Sequence, residues 1–202
     1  MKKKITILDY GLGNITSIVN ALNFLKYDVE FFSNHKKDID ILIIPGVGSF
    51  DNAMKIIRKK KYFSKIKMLT KTNTKIIGIC LGMQILLSIG FEGKKRKGLN
   101  LIAGKVPKID FEKKLPLVGY FPVNFKNDNH FNLKRFNKKK FYHIHSYAPK
   151  MVDSKNCFGF SKFNGNTYLS AIYKKNIVGF QFHPEKSGKI GIELLNHIIK
   201  NI

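Results

Sequence analysis

The segment Gly78–Ile79–Cys80–Leu81–Gly82 sits where an apolar run, Ile76–Ile79, gives way to a helical stripe from Met83 to Ile89. A glycine two residues to either side of the cysteine lets a strand turn sharply into a helix, with the thiol held out at the turn. That geometry belongs to a layered α/β architecture, because the helix must fold back and pack on its own sheet. The preceding chain repeats the pattern. Ile5–Asp9 reads as a buried strand followed by a Gly11–Leu12–Gly13 turn, and Thr16 to Lys26 puts Ile18, Val19, Leu22 and Leu25 on one helical face. Val29–Phe32 and Ile41–Ile44 read as further strands, the second closed by Pro45. Asp51 to Lys60 suits a helix with Ser49 as its N-cap. Strands alternating with helices imply a largely parallel central sheet covered on both faces.

The second half changes character. Between Leu101 and Phe182 short β-like runs (Leu115–Tyr120, Lys140–His145, Tyr168–Tyr173, Ile177–Phe182) are divided by Gly, Asn and Lys turns. They predict an antiparallel β extension of the sheet, or a small subsheet. Ile190 to Ile199 closes the chain as an amphipathic helix. With no internal repeat and no Pro/Gly/Ser-rich linker, residues 1–202 read as one α/β domain, long enough to bury a core without disulfide or metal.

Charge narrows the function less than its size suggests. Lys and Arg number 37 against 13 Asp and Glu, a formal +24, but all of these cations except Arg58, Arg96 and Arg135 are lysines scattered along the chain. Nucleic-acid readers favour the bidentate fork of arginine within a known module, and no such module is present, so no nucleic-acid partner is expected. No run approaches the ~18 apolar residues of a membrane span. The opening MKKKITILDY has a basic start, but its apolar run stops at Asp9, too short for the apolar core of a secretory signal, so a cytoplasmic chain with no membrane partner is expected. In such a setting Cys80 and Cys157 are free thiols, and a well-placed one is a candidate nucleophile.

Cys80 alone could be a buried structural cysteine, but a partner stands later in the chain. Gln181–Phe182–His183–Pro184–Glu185 follows an apolar strand, and residues two apart in extended chain face one way. His183 and Glu185 can therefore meet, giving nucleophile, base and orienting carboxylate. Pro45–Gly46–Val47–Gly48–Ser49–Phe50 lies just past another strand end, where open α/β sheets bind ligands and where glycine N–H groups can approach an oxyanion. Neither Gly46-x-Gly48 nor Gly11-x-Gly13 has the third glycine of a dinucleotide fingerprint, so no cofactor is expected. His143 and His145 have no carboxylate or cysteine at ligand spacing, and no metal is expected.

Taken in order, these residues resemble the class I (triad) glutamine amidotransferases, and among them the glutaminase subunits of imidazole glycerol phosphate synthases. The likeness runs through Asp9–Tyr10–Gly11–Leu12–Gly13–Asn14 with Ser17, Pro45–Phe50 with Ala53–Met54, Gly78–Gln84, His145–Ser146–Tyr147 and Gln181–Ser187. The resemblance implies that Cys80 attacks the side-chain amide of glutamine, that His183 moves the protons and that Glu185 orients it. It implies oxyanion contacts near Gly46, Val47 and Leu81, and places Gly48, Gln84, Glu92, Ser146 and Tyr147 around the substrate. It further implies a heterodimer in which ammonia passes to a (β/α)₈-barrel cyclase subunit of histidine biosynthesis, with Tyr10, Asn14 and Tyr120 at the partner surface.

One block departs from the pattern. Where the family carries Pro-His-x-Gly-Trp-Asn, this chain reads Pro116–Leu117–Val118–Gly119–Tyr120–Phe121, a change on the side expected to face the cyclase. A related glutaminase supplying ammonia to a surface-sugar amidotransferase, and a basic nucleic-acid-binding module, remain the alternatives.

Overall fold

The Ile-rich runs of the first half are too short for helices and suit a pleated, buried surface. In the computed structural model, which describes residues 4–13, 15–35, 38–110, 115–126, 131–151 and 153–202, they form β1 (Lys4–Ile7), β2 (Asp28–Phe31), β3 (Ile41–Ile44) and β4 (Lys75–Ile79). Helix α1 (Ile15–Phe24) joins β1 to β2, and α2 (Phe50–Lys59) and α3 (Tyr62–Leu69) join β3 to β4. A short α4 (Leu81–Ile85) follows β4. Beyond it come β5 (Ile89–Gly90), β6 (Arg96–Lys97), β7 (Gly104–Val106), β8 (Leu117–Phe125), β9 (Lys140–His145), β10 (Lys150–Met151), β11 (Cys157–Phe163), β12 (Asn166–Lys174) and β13 (Ile177–Phe180). Helix α5 (Gly188–Asn201) ends the chain.

The main sheet runs β2-β1-β3-β4-β13-β12-β11-β8-β9. From β2 to β13 the pairs are parallel, and from β13 to β9 they are antiparallel, as the change of pattern at mid-chain predicts. A second sheet, β10-β7-β5-β6, lies apart from it. Alternation along β3 divides the core. Ile41 and Ile43 pack with Ile18 and Leu22 of α1 and Leu194 and Ile198 of α5, whereas Leu42 and Ile44 pack with Ile57 of α2 and Ile66 of α3. All ten of these residues are essentially sealed from water, each such side chain contributing about 1.5–3 kcal/mol.

This topology positions chemistry by placing β13 directly beside β4. The two are parallel, with Phe180 opposite Ile79, so their carboxyl ends open on the same edge. The Cys80 N–H donates to the Phe180 carbonyl at 2.7 Å, joining the strand ends where the two motifs begin.

Several local expectations are corrected. The helix predicted from Met83 to Ile89 stops at Ile85, because the Ile85, Leu86, Leu87 and Ser88 carbonyls turn to accept from Leu99, Leu101, Asn100 and Gly98. The first strand ends at Ile7 rather than Asp9, and the last ends at Phe180 rather than Phe182. α3 and β11 have no clear periodic signature and were not legible. Among the described residues no helix is long and apolar enough to cross a membrane.

Candidate active site

Cys80 occupies the turn between β4 and α4 with φ 53° and ψ −111°, a conformation L-residues rarely hold. Such strain costs about 1–3 kcal/mol and persists only where the surroundings impose it. The flanking glycines show what imposes it. A Cβ on Gly78 would lie 2.8 Å from the Met83 backbone, and a Cβ on Gly82 would run into the Ile44 carbonyl. The elbow is thus pressed against both β3 and the helix that follows.

His183 and Glu185 meet as expected, by a different route. His183 is extended, but Glu185 lies in a 3₁₀ turn, Pro184–Lys186, which swings its carboxylate back to the ring. Nδ1 of His183 lies 2.7 Å from Oε1 of Glu185, and both side chains are buried. Nε2 of His183 and Oε2 of Glu185 have no hydrogen-bond partner among the described residues. Burial alone would push the His183 imidazole down. The nearby Cys80 and the Glu185 carboxylate outweigh burial and hold the pKa up to about 10.

A cavity of about 230 Å³ opens over the thiol, lined by Val47, Gly48, Cys80, Leu81, Gln84, Glu92, Pro116, Ile144, His145, Ser146 and Tyr147. That is below the ~300–1,000 Å³ of drug-sized sites and suits a ligand of amino-acid size. Seven of the eight residues expected around a substrate are therefore brought together. Gly46 is the exception: it lies beneath the loop, its α-carbon against the Tyr10 hydroxyl and the Leu81 side chain. Gly48 has φ 102° and open space around it, so the loop turns there into the cavity. Ser49 caps α2 by accepting from Asn52, as its position predicts.

Glu92 fastens this loop from the other side. Its carboxylate accepts from the Phe50 N–H at 3.3 Å and its carbonyl from the Asp51 N–H at 3.3 Å. Burial raises its pKa, and the Phe50 hydrogen bond works against that rise. Asp51 in turn pairs with Lys55 and Arg96.

Tyr10 requires correction. Expected at a partner surface, it is 1% exposed, and its hydroxyl donates to the Pro45 carbonyl at 2.9 Å. A side chain so enclosed anchors the loop from within. Burial, followed by the charge of Cys80, raises its pKa. Asn14 lies outside the described residues. Tyr120 is exposed on β8, opposite Tyr142 of β9, and its hydroxyl donates to the Lys186 carbonyl at 3.1 Å.

His143 and His145 are both buried on β9. Burial depresses them to about 4 and about 3 respectively, so both are neutral near pH 7. Their Nδ1 atoms lie 2.9 Å from the Phe141 carbonyl and 3.0 Å from the Tyr147 carbonyl. A carbonyl only accepts, so each Nδ1 bears the proton. No group of residues fit to hold a metal occurs among the described residues.

A strained thiol at a strand–helix turn, an imidazole held by a carboxylate, and a glycine loop over a small cavity can perform acyl transfer from an amide. The family model for class-I glutamine amidotransferases matches residues 6–201, and the chain belongs to that family. Among its relatives, the imidazole glycerol phosphate synthase subunit HisH of Saccharolobus solfataricus is 35% identical over 201 residues, covering 98% of this chain and 99% of its own. The subunit of that name from Caldanaerobacter subterraneus subsp. tengcongensis is 35% identical over 195 residues, covering 96% of each. That from Thermotoga maritima is 33% identical over 203 residues, covering 98% of this chain and 96% of its own. The fold alone is shared with a structure of PurLQS from Thermotoga maritima, at TM-score 0.78 and 18% identity over 99% of each chain. It is also shared with a crystal structure of a glutamine amidotransferase, at TM-score 0.72 and 14% identity over 97% of each.

Proposed function

We propose that the chain is the glutaminase subunit of an imidazole glycerol phosphate synthase, acting as one catalytic unit over residues 1–202. The observation that carries the reading is Cys80 in the cavity lining with the buried His183–Glu185 pair within its electrostatic reach, in a chain whose HisH relatives match it nearly end to end.

The Cys80 thiolate attacks the side-chain carboxamide carbon of glutamine, and the negative charge passes to the amide oxygen. N–H groups of Leu81 and of the Gly46–Val47–Gly48 loop receive that oxygen. When the tetrahedral species collapses the C–N bond breaks, and His183 gives its Nε2 proton to the departing nitrogen, which leaves as ammonia. The neutral imidazole then takes a proton from water as the water attacks the γ-glutamyl thioester, releasing glutamate and regenerating the thiolate–imidazolium pair. Glu185, fixed at Nδ1, keeps Nε2 turned to the reacting atoms. Gln84, Glu92, Ser146 and Tyr147 surround the amino-acid end of the substrate.

Ammonia passes to a (β/α)₈-barrel cyclase subunit. Val118 and Tyr120 of β8 and Ile144 of β9 form an exposed apolar face, and Ile144 also borders the cavity, which supports docking there. The altered block fits this arrangement. Leu117 and Phe121 turn inward onto Ile109, Ala148 and Phe163, while Tyr120 points out. Two of the three altered positions therefore face the interior in this chain.

Glutamine hydrolysis by the chain, alone and with its host's histidine-pathway cyclase and a nucleotide ligand, tests the reading. Strong stimulation that disappears in Cys80→Ala is expected. Hydrolysis that survives Cys80→Ala would overturn the triad. Absence of stimulation by an active cyclase would direct the same chemistry to another ammonia acceptor, such as a sugar.

A further inference from the structure

One polar side chain in the site has no part in that mechanism. Gln181, the residue after β13, is fully buried, and its backbone N–H donates to Ser170 at 2.9 Å. Its side-chain Nε2 lies 3.7 Å from Sγ of Cys80. Its Oε1 lies 3.1 Å from Nε2 of Gln84, and that same Nε2 lies 3.1 Å from the Tyr147 carbonyl.

These contacts fix which end of each amide is which. The Tyr147 carbonyl can only accept, so the Gln84 atom facing it is the NH₂ group. That group can only donate, so the Gln181 atom facing it is oxygen. The Gln181 NH₂ is thereby aimed at the sulfur. A neutral thiol is a weak acceptor, and a buried amide donor without a good acceptor costs on the order of 1–3 kcal/mol. The same donor beside a thiolate makes a charge-assisted hydrogen bond. Helix α4 spans only five residues, so its dipole is small and the thiolate needs support from elsewhere.

We propose that Gln181 is a positioning residue for the nucleophile: its amide N–H holds Cys80 as a thiolate, and Gln84 relays the placement of the Tyr147 loop to it. This rests on Cys80 being the nucleophile. The Tyr147 carbonyl is thereby linked to the sulfur through two amides, without help from the His183–Glu185 pair.

The test is alkylation of Cys80 in the full chain by iodoacetamide across about pH 5–10, read by mass spectrometry of the Cys80 peptide so that Cys157 does not contribute. Gln181→Leu is expected to move the midpoint up by about one pH unit, a tenfold loss of thiolate below it. Gln181→Glu, of the same shape but negative beside the sulfur, should move it up further. Gln84→Leu should produce a rise that does not add to that of Gln181→Leu. An unchanged midpoint in a Gln181→Leu protein with native circular dichroism overturns the proposal. Should that variant fail to fold, Gln181→Glu decides, and an unchanged or lowered midpoint there overturns it. Additive effects of the two substitutions would remove the relay. Because alkylation needs no glutamine turnover, these outcomes stay separate from failure of the glutaminase reading, which would appear as hydrolysis persisting in Cys80→Ala.

Discussion

Nδ1 of His183 lies 2.7 Å from Oε1 of Glu185, and this contact leaves Nε2, which has no partner among the described residues, as the ring nitrogen free for proton transfer. Glu185→Gln keeps the size of the partner and removes its charge. The amide can also present its NH₂ to Nδ1 and so favour the wrong tautomer. Stimulated glutamine turnover should fall by roughly 10²–10⁴-fold, the range for losing a working general acid–base. KM for glutamine should change little. Steady-state kinetics with the cyclase partner check this.

The loop over the cavity should show strong coupling between Gly46 and Tyr10. A methyl group at residue 46 collides first with the Tyr10 hydroxyl. Gly46→Ala should therefore destabilise the protein and suppress activity. Tyr10→Phe alone leaves the Pro45 carbonyl without its donor, at about 0.5–1.5 kcal/mol. The double variant should be more stable than the sum of the two losses, because the clashing oxygen is gone. A double-mutant cycle from denaturant unfolding measures the difference.

The elbow predicts opposite responses at neighbouring positions. Gly82→Ala drives a methyl group into the Ile44 carbonyl, and a loss of about 4 kcal/mol or more is expected, enough to prevent folding in a marginal domain. At Cys80 the backbone itself is strained at φ 53°. Cys80→Gly should melt no lower than Cys80→Ala, since relief of ~1–3 kcal/mol of strain offsets the ~0.5–1 kcal/mol entropic cost of glycine. Both variants should be inactive. Thermal melts of the pair decide it.

His143 and His145 predict the acid limb of stability. Each is held below its ordinary pKa of 6.5, at about 4 and about 3. Between those values and 6.5 the unfolded chain binds more protons than the folded one, so stability falls as the pH falls. The slope reaches up to about 1.4 kcal/mol per pH unit for each histidine. Full stability from this source is present above 6.5 and is lost as the pH drops through 4 and then 3. Urea unfolding at a series of pH values should show the loss, and His143→Gln should flatten it.

Much of this molecule was legible in its sequence because the controlling forces are local. Ile41–Ile44, Ile76–Ile79 and the stripe Ile18–Leu22 have the periods that burial demands, and Ser49 sits where a helix needs an oxygen. The spacing Gly78–Cys80–Gly82 announces an elbow because a turn that tight excludes side chains on either flank. Helix α3 is not marked in the sequence because it buries only Ile66 and Leu69, too little for a periodic face.

Gln84 is placed by the family resemblance, whereas Cys80, His183, Glu185 and the Val47–Gly48 loop are written in the chain as chemistry, through residue type and local spacing. Their assembly is not. Only the tertiary structure lays β13 beside β4, turns Glu185 back through a 3₁₀ turn, hides Tyr10 beneath Pro45 and aims the Gln181 amide at the sulfur. Those relations join residues 35 to 101 positions apart in three of the four cases, and they follow from which strand ends share an edge and which side chains fill the space between. Local pattern carries periodicity and strain, whereas long-range pairing is decided by packing the whole sheet at once.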